Sequence, residues 1–231
     1  MNIHSKMPGY YRMTYEKWYS WFSHIYDYFV RIFCFMFNEG FGGERRWRTE
    51  LIEWINPEYG EKIIDICSGT GTLSMMLAKK LAGMGNVVGI EVSPSQLRIA
   101  KRKEKPDGLM FIDADAQNIP FVNCSFDKGV ICGALHEMPR EVRLNVLHAT
   151  HNVIKHSGKV VFFEHTEPNS RWKAVFFDAL ERLNPEYQTY RDMLKSGLKN
   201  EIEQAGFKII KTAIVLSGFF QIILAEKKMR E

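Results

Sequence analysis

Two glycines and one acid carry the strongest chemical signal in this chain. Gly69 and Gly71 follow a β-branched run at 63–66, and glycines there let backbone N–H groups approach a ligand that any Cβ would exclude. Glu91 lies twenty residues after Gly71, at the end of a second apolar run at 87–90. A strand, a glycine turn, a helix and an acid at this distance are typical of folds that bind a nucleotide-type ligand and hold its ribose through the acid.

Three segments in order resemble the motifs of the class I S-adenosylmethionine (SAM) methyltransferases. Residues 65–71, Asp-Ile-Cys-Ser-Gly-Thr-Gly, are similar to the first motif of that family. Residues 91–97 resemble its acid-x-Ser-x-x-Met-Leu segment, and residues 115–121 resemble its Asp-Ala-x-x-Leu-Pro-Phe segment. Within the superfamily the likeness is to the ubiquinone/menaquinone C-methyltransferases and their type 11 relatives, which often have a small residue such as Cys67 in the first motif. The resemblance implies SAM as the cofactor.

The resemblance also implies a role for each acid of these motifs. Glu91 would bind the ribose, Asp115 the adenine amino group, and the backbone near Ala116 the adenine ring. Asp65 would order the glycine turn and approach the methionine amino group. From the residues alone, Asp65 is equally well read as a strand-end acid and Asp115 as an ordinary loop aspartate. The predicted cofactor-binding residues are Asp65, Cys67, Gly69, Gly71, Glu91, Val92, Asp115 and Ala116.

His136, Glu137 and Glu164 are the candidate acid–base residues. A methyl group on a sulfonium is transferred by in-line displacement, so the protein supplies alignment and, where needed, a base. His136 follows the predicted strand at 126–131, where the methyl would lie, and an unperturbed imidazole titrates near neutral pH. We predict His136 as the main residue, oriented or replaced by Glu137 or Glu164. A loop histidine bonded only to backbone is the alternative.

The acceptor is less well defined than the cofactor. Quinone C-methyltransferases typically have a Gly-x-Arg-Asn-like stretch where this chain has Gly133-Ala-Leu-His136. No metal is expected, because position 140 is Arg where a zinc protease motif needs its second His. Three further histidines at 148, 151 and 156 are read as solvated, with a zinc site as the less favoured alternative.

Composition is that of an ordinary globular enzyme. The chain has 231 residues, of which 25% are charged, and a net charge of +4 that is too small to indicate nucleic acid binding. Four scattered cysteines indicate a reducing compartment. The first ten residues lack the apolar core of a signal peptide, and no apolar run reaches the roughly 20 residues of a membrane span. We therefore expect a cytoplasmic protein, with its oligomeric state open.

Alternating apolar runs predict an α/β fold, a Rossmann-like, seven-stranded and mostly parallel sheet with helices on both faces. The predicted strands are 62–66, 86–90, 109–112, 126–131, 159–164, 208–215 and 219–225, and the predicted helices are 72–82, 94–103, 141–154 and 198–205. Ser217-Gly218 predicts a hairpin turn, which would make the last strand antiparallel. Ser93 is the predicted N-cap of the helix at 94–103, with Gln96 completing a capping box.

The chain divides into an N-terminal aromatic helical lid, residues 1–50, and a SAM-binding methyltransferase domain, residues 51–231. Apolar residues between 15 and 36 recur three and four apart and leave a narrow polar stripe, followed by a basic cluster at Arg45, Arg46 and Arg48. Residues 10–48 would close over the acceptor and make peripheral contact with a membrane. A helix that packs on the sheet as core is the alternative.

The sequence therefore predicts a SAM-dependent methyltransferase that acts on an apolar small-molecule or lipid-like acceptor, of quinol or phospholipid type. A non-catalytic SAM-binding or scaffold protein is the second hypothesis. An NAD(P)-dependent oxidoreductase is less favoured, because Ser74 interrupts Gly-x-Gly-x-x-Gly and no Tyr precedes a Lys by four residues.

Overall fold

The computed structural model describes residues 43–168 and 186–228, together with 170, 174, 175, 178, 179 and 182. Most of the predicted lid, residues 1–42, lies outside the described residues. Within the described residues, no helix is both long enough and apolar enough to cross a membrane.

One sheet of seven strands forms the centre of the molecule, in the order β3-β2-β1-β4-β5-β7-β6. Neighbouring strands from β3 to β5 are parallel, whereas β7 runs antiparallel to both β5 and β6. The strands are β1 Lys62–Ile66, β2 Asn86–Glu91, β3 Leu109–Asp113, β4 Phe126–Cys132, β5 Ile154–His165, β6 Phe207–Val215 and β7 Phe220–Lys227. The carboxyl ends of β1, β2, β4 and β5 therefore meet at one edge of the sheet, which we call the rim.

Helices cover both faces of this sheet. They are α1 Gly43–Ile55, α2 Thr72–Leu81, α3 Pro94–Arg102, α4 Arg140–Val153, α5 Tyr187–Ser196 and α6 Leu198–Gln204. Successive strand residues point to opposite faces, so Ile63 joins the apolar layer beneath α1, α2 and α3, while Ile64 joins the layer beneath α4 and α6. Both layers are buried, which is why the central strands read as continuous apolar runs.

The sequence-based fold prediction is confirmed. All seven strands are present, and β7 follows a turn at Leu216–Gly218 and enters antiparallel as expected. β5 is longer than predicted, because it begins at Ile154 directly after α4. Helices α1 and α5 were not predicted. The boundary predicted after residue 50 falls inside α1, whose buried face packs on the sheet.

A fully buried arginine joins α4 to α5 and α6. Arg143 donates to both carboxylate oxygens of Glu201, at 2.5 and 2.9 Å, and to Asp192 at 2.9 Å. It also donates to the carbonyl oxygen of Met138 at 2.8 Å. A buried guanidinium is tolerated only when it is paired this completely. The network fixes α5 and α6 against the 3₁₀ turn at Leu135–Glu137, which lies at the rim.

Candidate functional site

The glycine turn after β1 requires glycine at both positions that the sequence indicated. Gly69 and Gly71 have φ values of 57° and 76°, a region that favours glycine. A Cβ on Gly69 would lie 2.7 Å from the side-chain oxygen of Gln96, and a Cβ on Gly71 would overlap the ring of Phe111, so the turn is also packed closely against α3 and β3. Within the turn, the hydroxyl oxygen of Ser68 is buried and has no hydrogen-bond partner among the described residues, which fits a bound cofactor.

Glu91 ends β2 and connects the glycine turn to α3. Its two carboxylate oxygens accept hydrogen bonds from the backbone N–H groups of Gly69 and Ser93, each at 2.8 Å. Burial raises the pKa of Glu91, and these backbone hydrogen bonds oppose that rise. The position agrees with the predicted ribose-binding role, which remains a prediction.

The capping box predicted at α3 is only half correct. Ser93 is the N-cap, and its hydroxyl accepts from the N–H of Gln96 at 3.5 Å. However, the Ser93 N–H donates to Glu91, so Gln96 does not complete the box. The Gln96 side-chain oxygen lies beside Gly69 instead.

Asp65 is buried in β1 and orders the start of α2. Its carboxylate accepts from the Ser74 hydroxyl at 2.5 Å. Burial raises the pKa of Asp65 to about 7, against the opposing effects of Ser74 and the charge of Arg48. The contact with Ser74 matches the turn-ordering role, while contact with the methionine amino group remains a prediction.

The other predicted cofactor residues lie around the same turn and the end of β3. Cys67 has a φ of 59°. Burial and, to a lesser extent, the charge of nearby acids raise the pKa of its thiol well above the usual range, so the thiol stays neutral. Val92 is half-buried between Glu91 and the N-cap of α3. Asp115 accepts from the N–H of Gln117 at 2.9 Å, and Ala116 is buried. The hydrogen bond to Gln117 is that of an ordinary loop aspartate, and the adenine contact remains a prediction.

The candidate acid–base residues meet at the ends of β4 and β5. Glu164 is fully buried, and one of its oxygens accepts from the N–H groups of Ala134 and Leu135, at 2.7 and 2.6 Å. Its other oxygen contacts Nδ1 of His136 at 2.8 Å. Glu164 thus holds both the rim turn and the imidazole, and Nε2 of His136 lies 3.9 Å from a carboxylate oxygen of Glu186.

The electrostatics of this cluster differ from the expectation of an unperturbed imidazole. Burial disfavours the charged ring, but the carboxylates of Glu164, Glu186 and Glu137 outweigh it and raise the pKa of His136 to about 10. The ring of His165 lies 4.4 Å away, and burial together with the charge on His136 lowers its pKa well below 6.5. At neutral pH, therefore, His136 is an imidazolium and His165 is neutral.

Glu137 and Glu186 complete the surroundings of His136. Each of these three residues places one potential metal-ligating atom within 4.8 Å of the others, among the described residues. The group therefore places two carboxylates close to one imidazole nitrogen, an arrangement that attracts a cation. Sequence analysis missed Glu186 because α5, which begins one residue later, was not predicted.

The other histidine prediction concerned α4. His148 and His156 are exposed, and His151 is half-buried, with its ring edge-on to Phe207 at 5.2 Å. Two of the three histidines are therefore exposed to solvent as predicted, and His151 is not.

A row of aromatic rings runs along the rim beside His136. Trp47 stacks on Phe163 at 4.6 Å, and Phe163 stacks on Phe220 at 4.9 Å, with interplanar angles of 7° and 9°. Phe220 lies 4.2 Å from the ring of His165, which also contacts Tyr190 at 5.4 Å. The row attaches α1 to the rim and makes the neighbourhood of His136 apolar.

One residue of the basic cluster is buried, which membrane contact through this cluster did not predict. Arg45 and Arg46 are exposed, but Arg48 is 7% exposed and lies 4.4 Å above the ring of Trp47. The sequence did contain a signal for this burial, because Arg48 lies three residues before the buried Leu51 and therefore on the same face of α1.

The comparisons agree with this geometry. A family model described as "Methyltransferase domain" matches residues 63–158. Demethylmenaquinone methyltransferase of Staphylococcus saprophyticus is 27% identical over 205 residues, covering 81% of this chain and 87% of that protein. The protein of the same name from Lactobacillus johnsonii is 29% identical over 210 residues, covering 82% and 85%. A solved SAM-dependent methyltransferase from Methanosarcina mazei has a TM-score of 0.62 at 18% identity, covering 78% and 98%, and shares the fold.

The family model and the relatives show a SAM-dependent methyltransferase enzyme with SAM as its cofactor. The chain is similar to demethylmenaquinone methyltransferases over most of its length. Neither the oxidoreductase nor the scaffold hypothesis is favoured by these matches.

We expect Glu91→Ala to weaken SAM binding at least tenfold. A hydrogen bond to a charged group contributes about 1.5–3 kcal/mol, and the substitution also leaves the N–H of Gly69 unpaired. Isothermal calorimetry of both proteins measures the change, with exposed Glu203→Ala as the control that should bind like wild type. Equal affinity in the Glu91 variant, with an unchanged circular dichroism spectrum, would reject the ribose assignment.

The raised pKa of His136 predicts a pH-dependent stability. Because its folded-state pKa of about 10 exceeds the ordinary 6.5, the stabilising contribution is complete below pH 6.5 and is lost as pH rises through about 10. The difference in free energy of unfolding between wild type and His136→Asn should therefore shrink over that window, measured by urea unfolding. Exposed His156→Asn should show a flat difference, and a flat difference for His136→Asn would contradict the assignment.

Proposed function

We propose that this enzyme transfers a methyl group from SAM to a ring carbon of a hydroquinone of the demethylmenaquinol type. The observation that carries the proposal is the contact at 2.8 Å between Nδ1 of His136 and the buried carboxylate of Glu164 at the aromatic rim, which raises the pKa of the imidazole. The proteins named demethylmenaquinone methyltransferase, which align over more than four-fifths of both chains, indicate the type of ring.

The chemistry needs a stabilised phenolate. A ring carbon becomes a nucleophile when the neighbouring hydroxyl has lost its proton, so a charge-assisted donor to that oxygen promotes the reaction. When bound, SAM supplies the methyl: a carbon–carbon bond forms as the sulfur–carbon bond breaks, and the ring carbon then releases its hydrogen as a proton.

His136 and the acids around it have different roles in this reaction. Glu164 keeps Nδ1 engaged, so Nε2–H is the donor left for the acceptor oxygen. A carboxylate oxygen of Glu186 lies 3.9 Å from Nε2, and Glu137 belongs to the same cluster within 4.8 Å. These two carboxylates serve as the proton acceptors for the ring hydroxyl. His136 is then an electrostatic residue and not the base, and it supplies a cation in a turn that lacks the arginine of the Gly-x-Arg-Asn-like stretch.

The test is an acceptor panel followed by mutation. A short-chain demethylmenaquinone in its reduced form should gain one methyl on carbon, identified by mass and by NMR, whereas the oxidised form and phosphatidylethanolamine vesicles should not. His136→Ala should lower kcat by about 10²–10³ with SAM affinity nearly unchanged, since this is the usual effect of removing one donor to a developing oxyanion. Exposed His148→Ala is the control. Methylation of the phospholipid alone, or a full-rate His136 variant, would overturn the proposal.

We also propose that the part of the predicted 1–50 segment that precedes α1 acts as a lid over the acceptor, with peripheral membrane contact through that part of residues 10–48. Trp47 and Arg48 are excluded from this role because they are buried in α1. Support comes from the aromatic stripe in the sequence and from Trp47, whose stacking on Phe163 brings the end of this segment to the rim. A lipid-like acceptor would be drawn from a membrane surface.

Deletion of residues 1–38 should leave SAM affinity within a few-fold but abolish turnover, because the acceptor loses its cover. Co-sedimentation with vesicles containing anionic lipid should fall in the same variant. Retained turnover would exclude the lid, and failure to fold would identify the segment as core.

A further inference from the structure

Arg48 is a buried cation at the rim that no predicted role uses. Its burial contrasts with Arg45 and Arg46 on the same helix, which are exposed. The guanidinium lies over the ring of Trp47, which in turn stacks on Phe163 near the end of β5. A charged side chain is kept in such a place only when other charges make it favourable.

The position of Arg48 relative to the strands follows from the sheet register. Phe163 pairs with Cys132, the last residue of β4, and its carbonyl oxygen accepts from the N–H of Gly133. β4 lies next to β1, where Asp65 points toward the same helical layer through its contact with Ser74. The charge of Arg48 opposes the burial-driven rise in the pKa of both Asp65 and Cys132.

The charge of the cofactor site makes this cation necessary. Three of the predicted cofactor-binding residues are acids, namely Asp65, Glu91 and Asp115. The candidate acid–base residues add two more, Glu137 and Glu164. The methionine part of SAM carries an ammonium group and a carboxylate. Acids suit the ammonium group, but a carboxylate among acids needs a cation or N–H donors to offset their charge.

We propose that Arg48 binds the α-carboxylate of the methionine part of SAM. Its planar guanidinium matches a carboxylate through two parallel hydrogen bonds, and the stack of Trp47 on Phe163 holds it in place. The mundane alternative is that Arg48 is only a counter-ion for Asp65. This inference depends on the SAM cofactor and not on the identity of the acceptor.

The test uses ligands that differ in the carboxylate. Wild type should bind SAM about tenfold or more tightly than decarboxylated SAM by calorimetry, the size expected for a charge-assisted hydrogen bond. Arg48→Gln should weaken SAM and S-adenosylhomocysteine by a similar factor and leave decarboxylated SAM unchanged. Arg46→Gln makes the same charge change at an exposed position of α1 and should bind all three ligands like wild type.

The outcomes separate the two roles of Arg48. Equal weakening of SAM and decarboxylated SAM by Arg48→Gln would identify a counter-ion of Asp65 and overturn the proposal. If Arg48→Gln does not fold, the same ligand comparison is made with Arg48→Lys and with wild type. Equal affinity of wild type for SAM and decarboxylated SAM would then overturn the proposal. Lys103 follows α3, and its Nζ donates to the Thr72 hydroxyl at the start of α2 at 3.1 Å. The same loss of selectivity in Lys103→Met, with Arg48 variants unaffected, would place the carboxylate elsewhere and overturn the proposal.

Discussion

The site depends on one constraint, which is that a carboxylate buried at the end of a strand must be hydrogen-bonded. Asp65, Glu91 and Glu164 occupy such positions on β1, β2 and β5, and each is at most 5% exposed. Left unpaired, each would carry a large desolvation cost. Their donors come from the turns and the helix start that follow the strands, namely Ser74 for Asp65, Gly69 and Ser93 for Glu91, and Ala134, Leu135 and His136 for Glu164. The acids of the sheet thus hold the glycine turn and the rim turn in place.

The same constraint sets where positive charge is useful. A rim rich in carboxylates would repel the methionine carboxylate of SAM and the phenolate of the proposed acceptor. Two buried basic side chains lie in this part of the structure, Arg48 on α1 and His136 on the rim turn. Each packs on an aromatic ring, Arg48 over Trp47 and His136 against His165.

The rim turn shows how this chain differs from the pattern expected of quinone C-methyltransferases. The turn lacks a Gly-x-Arg-Asn-like stretch, yet the chain is similar to demethylmenaquinone methyltransferases over most of its length. Our proposal accounts for this difference chemically: Glu164 lies 2.8 Å from Nδ1 of His136 and, with the nearby acids, raises the pKa of the ring, which favours a cation at the same turn.

The sequence by itself determined the sheet, the glycine turn and the class of cofactor, because strands, turns and capping residues follow from local periodicity and residue type. It did not determine helix α5, where few positions are apolar, nor the burial of Arg48. It also missed Glu186 beside His136 and the raised pKa of that histidine. Only the tertiary structure decided these, because they arise between residues far apart in the chain: Glu164 is 28 positions from His136. A local pattern carries no information about which distant carboxylate will lie beside the imidazole of His136. That contact determines the pKa of the imidazole.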